Sequence, residues 1–214
     1  MEFEPAWLAC LEEAWAAYAA GSVPVGAAYA DAAGRVLLRG RNRHGETCAP
    51  RPLVAGSRVA HAEINVLVQV PSDAHPRMAE GALYTSMEPC PMCFGAAVMN
   101  GVREIRFGAR DGWAGAANLT GASPYLGSKG MRIFGPEPRI EAVSLVLATD
   151  YWLREASPRS EDVVRACEAL NPPAVGLGRA WFAAGHLQQA VHRGASVQDV
   201  ADEILGLVPP SARL

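Results

Sequence analysis

The sequence predicts an α/β fold, and three observations carry that expectation. Two short apolar runs, 23–30 and 35–39, flank the turn-type segment Asp31-Ala32-Ala33-Gly34, the pattern of a β-hairpin. A strand-like run at 82–87, a helical stretch at 91–100 closed by Gly101, and a second strand-like run at 103–108 make a β-α-β unit, whose crossover calls for parallel pairing. Apolar residues at helical spacing supply covering helices, beginning with Leu8, Leu11, Trp15 and Tyr18.

Taken in order, the first helix is expected over about 5–20, with interspersed alanines raising its propensity and Gly21 placed as its stop. After the hairpin, 40–60 lacks a period. Ile64, Val66, Leu67 and Val70 predict a helix over 61–70, halted by Pro71, with a loop from Ser72. Residues 109–138 are rich in Gly, Ser, Asn and Pro and too long for a plain connection, so they read as a functional loop over the site. The run 142–148 is expected to be the fifth strand. Beyond Asp150, helical segments are expected at about 150–157, 160–170, 178–192 and 196–208, interrupted by Asn171-Pro172-Pro173. The last opens on Ser196 and Asp199 in a capping-box pattern. The expected organisation is one domain over 1–156 and a helical extension of unknown role over 157–214.

Composition excludes several classes. With 214 residues, half of them apolar, the chain can bury a core without disulfide staples. A formal net charge of -3 does not describe a nucleic-acid-coating protein. Five cysteines, two of them in Cys-x-x-Cys, argue for a reducing compartment; Cys10, Cys48 and Cys167 are expected to be buried small hydrophobes. The acidic start and the lack of any apolar run near the roughly 18 residues of a membrane helix lead to the expectation of a soluble, cytoplasmic protein.

His61-Ala62-Glu63 and Pro89-Cys90-Pro91-Met92-Cys93 carry the chemistry. One imidazole and two thiolates are three Zn²⁺ ligands; a structural zinc is normally closed by four protein ligands, whereas a catalytic one keeps three and leaves a corner to water. Glu63 is then left to move protons. Residues two apart in a helix point to nearly opposite sides, so His61 and Glu63 serve one site only if His61 occupies a cap position with non-helical dihedrals. Cys90 and Cys93, at the start of a helix, gain thiolate character from its positive end. A structural zinc would require a fourth ligand such as Cys48 or His44.

The match widens around these residues: Val23-Pro24-Val25-Gly26-Ala27, Gly40-Arg41-Asn42, His61-Ala62-Glu63-Ile64, the stretch Leu83 to Cys93, Gly95-Ala96-Ala97 and Arg106-Phe107-Gly108-Ala109 resemble the cytidine deaminase-like superfamily, in its branch of tRNA adenosine, guanine and fungal-type cytosine deaminases. The resemblance covers 5–115 well and 139–156 weakly. It implies a three-layer α/β/α fold on a five-stranded mixed sheet, one zinc per chain held by His61, Cys90 and Cys93, Glu63 as proton carrier, and a homodimer. It also implies that Asn42 contacts substrate and that the backbone near Ala62 and Glu88 borders the base. Trp113 and Tyr125 are candidates to stack on a base, and Phe94 to line the pocket floor.

The expected function is therefore zinc-dependent hydrolytic deamination of a small amino-substituted nucleobase, nucleoside or related heterocycle. The alternatives are a tRNA adenosine-to-inosine deaminase and, from another class, a non-catalytic zinc-stabilised interaction module. Gly56-Ser57-Arg58-Val59-Ala60 replaces the Asp-Pro-Thr that precedes His-Ala-Glu in the tRNA enzymes, and the glycine-rich segment after the fourth strand is altered to Gly112-Trp113-Ala114-Gly115-Ala116-Ala117-Asn118, which makes RNA the less favoured partner. Against that, Arg35, Arg39, Arg41, Arg43, Arg51 and Arg58 are opposed locally by Glu46 alone and would suit phosphate, although arginine is the cation throughout this lysine-poor chain.

Overall fold

A computed structural model describes residues 2–208. Its five-stranded mixed sheet runs in the order β2-β1-β3-β4-β5. The hairpin forms as β1 (Gly26–Ala30) and β2 (Val36–Arg41), and β3 (Ala82–Met87) lies antiparallel to β1. β4 (Glu104–Ala109) then pairs parallel to β3, as the crossover requires. Every residue of β1 and β3 is buried, because helices cover both faces of the sheet.

Alternation sorts the strand side chains between two apolar layers. Ala27, Tyr29 and Leu83 enter one layer with Val66, Leu67, Phe94 and Val98 from α2 (Ala62–Leu67) and α3 (Pro91–Met99). Ala28, Ala30 and Tyr84 enter the other, with α1 (Pro5–Ala19) and α5 (Pro138–Glu155). α1 lies so close to β1 that a Cβ on Gly26 would stand 2.1 Å from the Cys10 carbonyl oxygen, so only glycine permits this contact.

Three expectations are corrected. The run 142–148 is no strand but the middle of α5, whose start is set by Pro138 in its first turn and by the Glu137 carboxylate accepting the Ile140 N–H at 2.7 Å. Residues 140–151 of this helix are buried on every side, between the sheet and α7 (Pro172–Ala184), so it carries no polar stripe to reveal its period. The fifth strand is instead the short edge β5 (Arg132–Phe134), parallel to β4. The segment after Pro71 is a 3₁₀ helix, Ser72–Ala79, where a loop was expected.

Within the loop 109–138, a 3₁₀ turn (Ala117–Gly121) and a single-turn α4 (Pro124–Gly127) precede β5. Asn171-Pro172-Pro173 begins a helix as well as ending one: the Asn171 side chain accepts the Ala174 N–H and Pro172 opens α7. Gly185, at φ 64°, divides the expected 178–192 helix into α7 and α8 (His186–His192). α6 (Ser160–Glu168) precedes them, and α9 (Val197–Leu207) opens on the expected Ser196/Asp199 capping box. Residues beyond 157 join the core over α1 and α5 through Val164, Cys167, Val175, Trp181, Leu187 and Ile204. None of the described helices is long and apolar enough to cross a membrane.

Candidate active site

His61 takes the cap position that the chemistry demands, with extended dihedrals (φ -75°, ψ 158°) just before α2. Its ring and the buried Glu63 carboxylate both line a cavity of about 260 Å³. Cys90 is likewise the extended cap of α3 (φ -70°, ψ 169°), with Pro91 at the first helical position, and Cys93 follows within the first turn. The parallel β3-α3-β4 crossover thus delivers both thiols beside the imidazole.

The Cys90 and Cys93 sulfurs lie 3.6 and 3.4 Å from His61 Nδ1. From zinc bond lengths of about 2.3 Å to sulfur and about 2.0 Å to nitrogen, a tetrahedral N···S edge is about 3.5 Å, so the donor set fits Zn²⁺. These three are the metal-type cluster among the described residues, with ligand atoms all within 4.8 Å of one another. His44, weighed as a fourth ligand, instead has Nδ1 3.4 Å from the Ser57 carbonyl oxygen. Cys48 is exposed, which corrects its expected burial; Cys10 and Cys167 are buried.

Electrostatics follow from crowding. Donation from the Cys93 thiol, aided by His61, holds the Cys90 thiol down to about 4. Cys93 is driven strongly upward by its bond to Cys90 and by burial. His61 is raised chiefly by its hydrogen bond to Cys90, against the opposing effect of burial. Burial raises Glu63 above the usual carboxylate range, with His61 opposing the shift; Thr85 Oγ1 donates to its Oε1 at 3.3 Å. Thr85 was not singled out in the sequence, since an inward threonine in an apolar strand carries no distinguishing pattern.

Asn42 and Trp113 line the cavity. Asn42 Oδ1 accepts the His44 N–H at 2.9 Å, which leaves its amide nitrogen as the group to offer a ligand. Glu88 also lines it, and its carboxylate accepts the Asp111 and Ala117 N–H groups at 3.2 and 3.0 Å, so it shapes the loop that carries Trp113. Ala62 is wholly buried behind the wall, Phe94 belongs to the core below, and Tyr125 is exposed against Met99. Trp152, Val163 and Cys167 complete the wall. Sequence reasoning missed all three, because their approach depends on how α5 and α6 pack.

The arginine-rich stretch is neutralised by more than Glu46. Arg35 pairs with Asp31 at 2.7 Å, Arg39 with Glu12 and Glu13, and Arg41 and Arg43 with Glu46. Glu12 and Glu13 come from α1, which the fold lays against β2.

Residues 3–109 match the family model of the cytidine and deoxycytidylate deaminase zinc-binding region. The chain belongs to this family. Zinc is accordingly the cofactor of this deaminase-family domain. A tRNA-specific adenosine deaminase of Haemophilus influenzae is 35% identical over 107 residues, 50% of this chain and 57% of that protein. The chain spans less than two thirds of the length of the curated relatives it matches. Among solved structures, a guanine deaminase of Nitrosomonas europaea is 26% identical at a TM-score of 0.51, covering 70% of this chain and 84% of that one. A solved complex with 2,6-diaminopurine is 27% identical at a TM-score of 0.52, covering 69% and 80%.

Proposed function

We propose that the chain is a hydrolytic deaminase that releases ammonia from an amino-substituted nucleobase, nucleoside or related heterocycle. The observation that carries this reading is a three-ligand zinc cluster with one additional buried carboxylate, Glu63, at the same small cavity. His61, Cys90 and Cys93 would hold the metal. Zinc, when bound, supplies Lewis acidity that makes water a competent nucleophile near neutral pH.

The remaining work falls to the protein. Glu63 takes a proton from the water as its oxygen adds to the carbon bearing the amine, and hands that proton to the neighbouring ring nitrogen. It then takes the second proton of the added water and gives it to the departing amine, which leaves as ammonia while the ring carbon becomes a carbonyl. Thr85 keeps the carboxylate aimed during both transfers. Asn42 and the cavity wall hold the ring in place, and the small buried cavity limits competing water. In this division residues 1–156 carry the chemistry and 157–214 shape the space around it.

The test is ammonia release by zinc-loaded protein across free bases, nucleosides, nucleotides, pterins, triazines and tRNA. Glu63→Gln should keep one zinc per chain and lower turnover by about 10²–10⁴-fold. An active Glu63→Gln protein would remove the carboxylate from the mechanism. The resemblance to tRNA adenosine deaminases supports a second reading, in which adenosine in RNA is the substrate; strongly salt-dependent tRNA binding is its signature.

A further inference from the structure

The cavity is assembled from segments far apart along the chain, from Val23 to Cys167. The segments bearing His61 and Cys90 supply its metal-binding residues, and Trp152 of α5 with Val163 and Cys167 of α6 add an apolar wall. α6 also supports the loop bearing Trp113. Gly112 lies flush against it, where a Cβ would stand 2.4 Å from the Ala166 carbonyl oxygen. α6 is itself held in place: Arg110 Nη2 donates to the Leu170 carbonyl at 3.2 Å, and Arg179 bridges Glu161 and Glu168 at 2.7 and 3.3 Å.

Size and charge both bear on what this enclosure accepts. At about 260 Å³ it falls below the roughly 300 Å³ at which pockets for drug-sized ligands begin. Among the described residues, its lining contains no lysine or arginine, while Glu63, Glu88 and Asp111 are all carboxylic acids. Arg110, next to Asp111 in sequence, is turned into an ion pair with the buried Glu141 at 2.8 Å. A phosphate entering here would meet the Glu88 and Asp111 side chains with no lysine or arginine in the lining to receive it.

We propose that α6 and Trp152 are the specificity wall of this site, with Val163 and Cys167 as specificity-determining residues that admit a compact, uncharged amino-heterocycle and reject its phosphorylated nucleotide. This rests on the deaminase reading for the meaning of the site, but selection by the wall can be measured apart from turnover.

Calorimetric titration of zinc-loaded protein with 2,6-diaminopurine, its riboside and its riboside 5′-monophosphate is the experiment, made on the unaltered chain, on Val163→Ala and on Val163→Phe. The unaltered chain should bind the base at least about 100-fold more tightly than the monophosphate. Val163→Ala should improve riboside binding relative to base by about tenfold, the scale on which methylene-sized changes act in a pocket, and Val163→Phe should weaken base binding by a similar factor. Zinc content and thermal unfolding establish that each variant is folded. The proposal is overturned if the unaltered chain binds the monophosphate as well as the base, if it binds none of the three, or if the folded variants leave the binding ratios unchanged. Ammonia assays on the same samples separate the two readings: selective binding without ammonia release would sink the deaminase assignment and leave the wall standing.

Discussion

Arg110→Met is expected to destabilise the chain more than Glu141→Met, although the two changes break the same ion pair. Arg110 Nε meets Glu141 Oε1 at 2.8 Å, with side-chain exposures of 24% and 0%. Removing one partner of a buried pair costs about 3–5 kcal/mol, because the other charge stays buried with its compensation gone. Arg110→Met takes the guanidinium from a carboxylate out of reach of water, which keeps the Arg110 backbone N–H and the Asn171 amide as donors at 3.4 Å, and should cost about 3 kcal/mol. Glu141→Met leaves a guanidinium that reaches solvent and still donates to the Leu170 carbonyl at 3.2 Å, so about 2 kcal/mol is expected. The double Met variant should fall below either single change, since two apolar groups of similar volume replace the pair. Urea unfolding of zinc-loaded protein at pH 7 gives all three values, provided the m-values agree. Against a total stability of about 5–15 kcal/mol these differences are easily resolved. Equal penalties for the single changes, or an additive double change, would refute the argument that unequal burial decides the cost.

Two further outcomes follow from contacts around the site. Gly112→Ala should lift the Trp113 loop from α6, since the new Cβ would stand 2.4 Å from the Ala166 oxygen; a stability loss of about 1–3 kcal/mol, unchanged zinc content and a raised KM are expected, and an unchanged KM would separate the loop from substrate binding. Thiol labelling of zinc-loaded protein at neutral pH should modify the exposed Cys48 alone. Burial pushes Cys167 up to about 11 and drives Cys10 higher still, and zinc occupies the other two thiols. Chelation should then add the half-buried Cys90 to the labelled set; rapid labelling of Cys10 or Cys167 would contradict the packing described.

Much of the fold and site was legible because local rules governed it. The hairpin, the β-α-β crossover and the first helix follow from period and turn residues, and the zinc cluster follows from two short motifs whose donors sit at helix caps. The requirement that His61 adopt extended dihedrals was a matter of helix geometry, and the structure meets it at ψ 158°. The run 142–148 failed for a definite reason: with sheet on one side and α7 on the other, a helix needs no polar face, and a run apolar but for Ser144 does not distinguish helix from strand.

Taken alone, the order of residues determined the class of fold and the chemical identity of the metal donors, since backbone preference and ligand chemistry are written within a few neighbouring positions. Tertiary packing decided what surrounds them. Glu12 and Glu13 meet Arg39 only when α1 lies across the sheet, and Val163 reaches the cavity of His61 only when α6 folds back over it. Charge neutralisation and pocket volume depend on distances between segments far apart along the chain, and no local pattern encodes such distances.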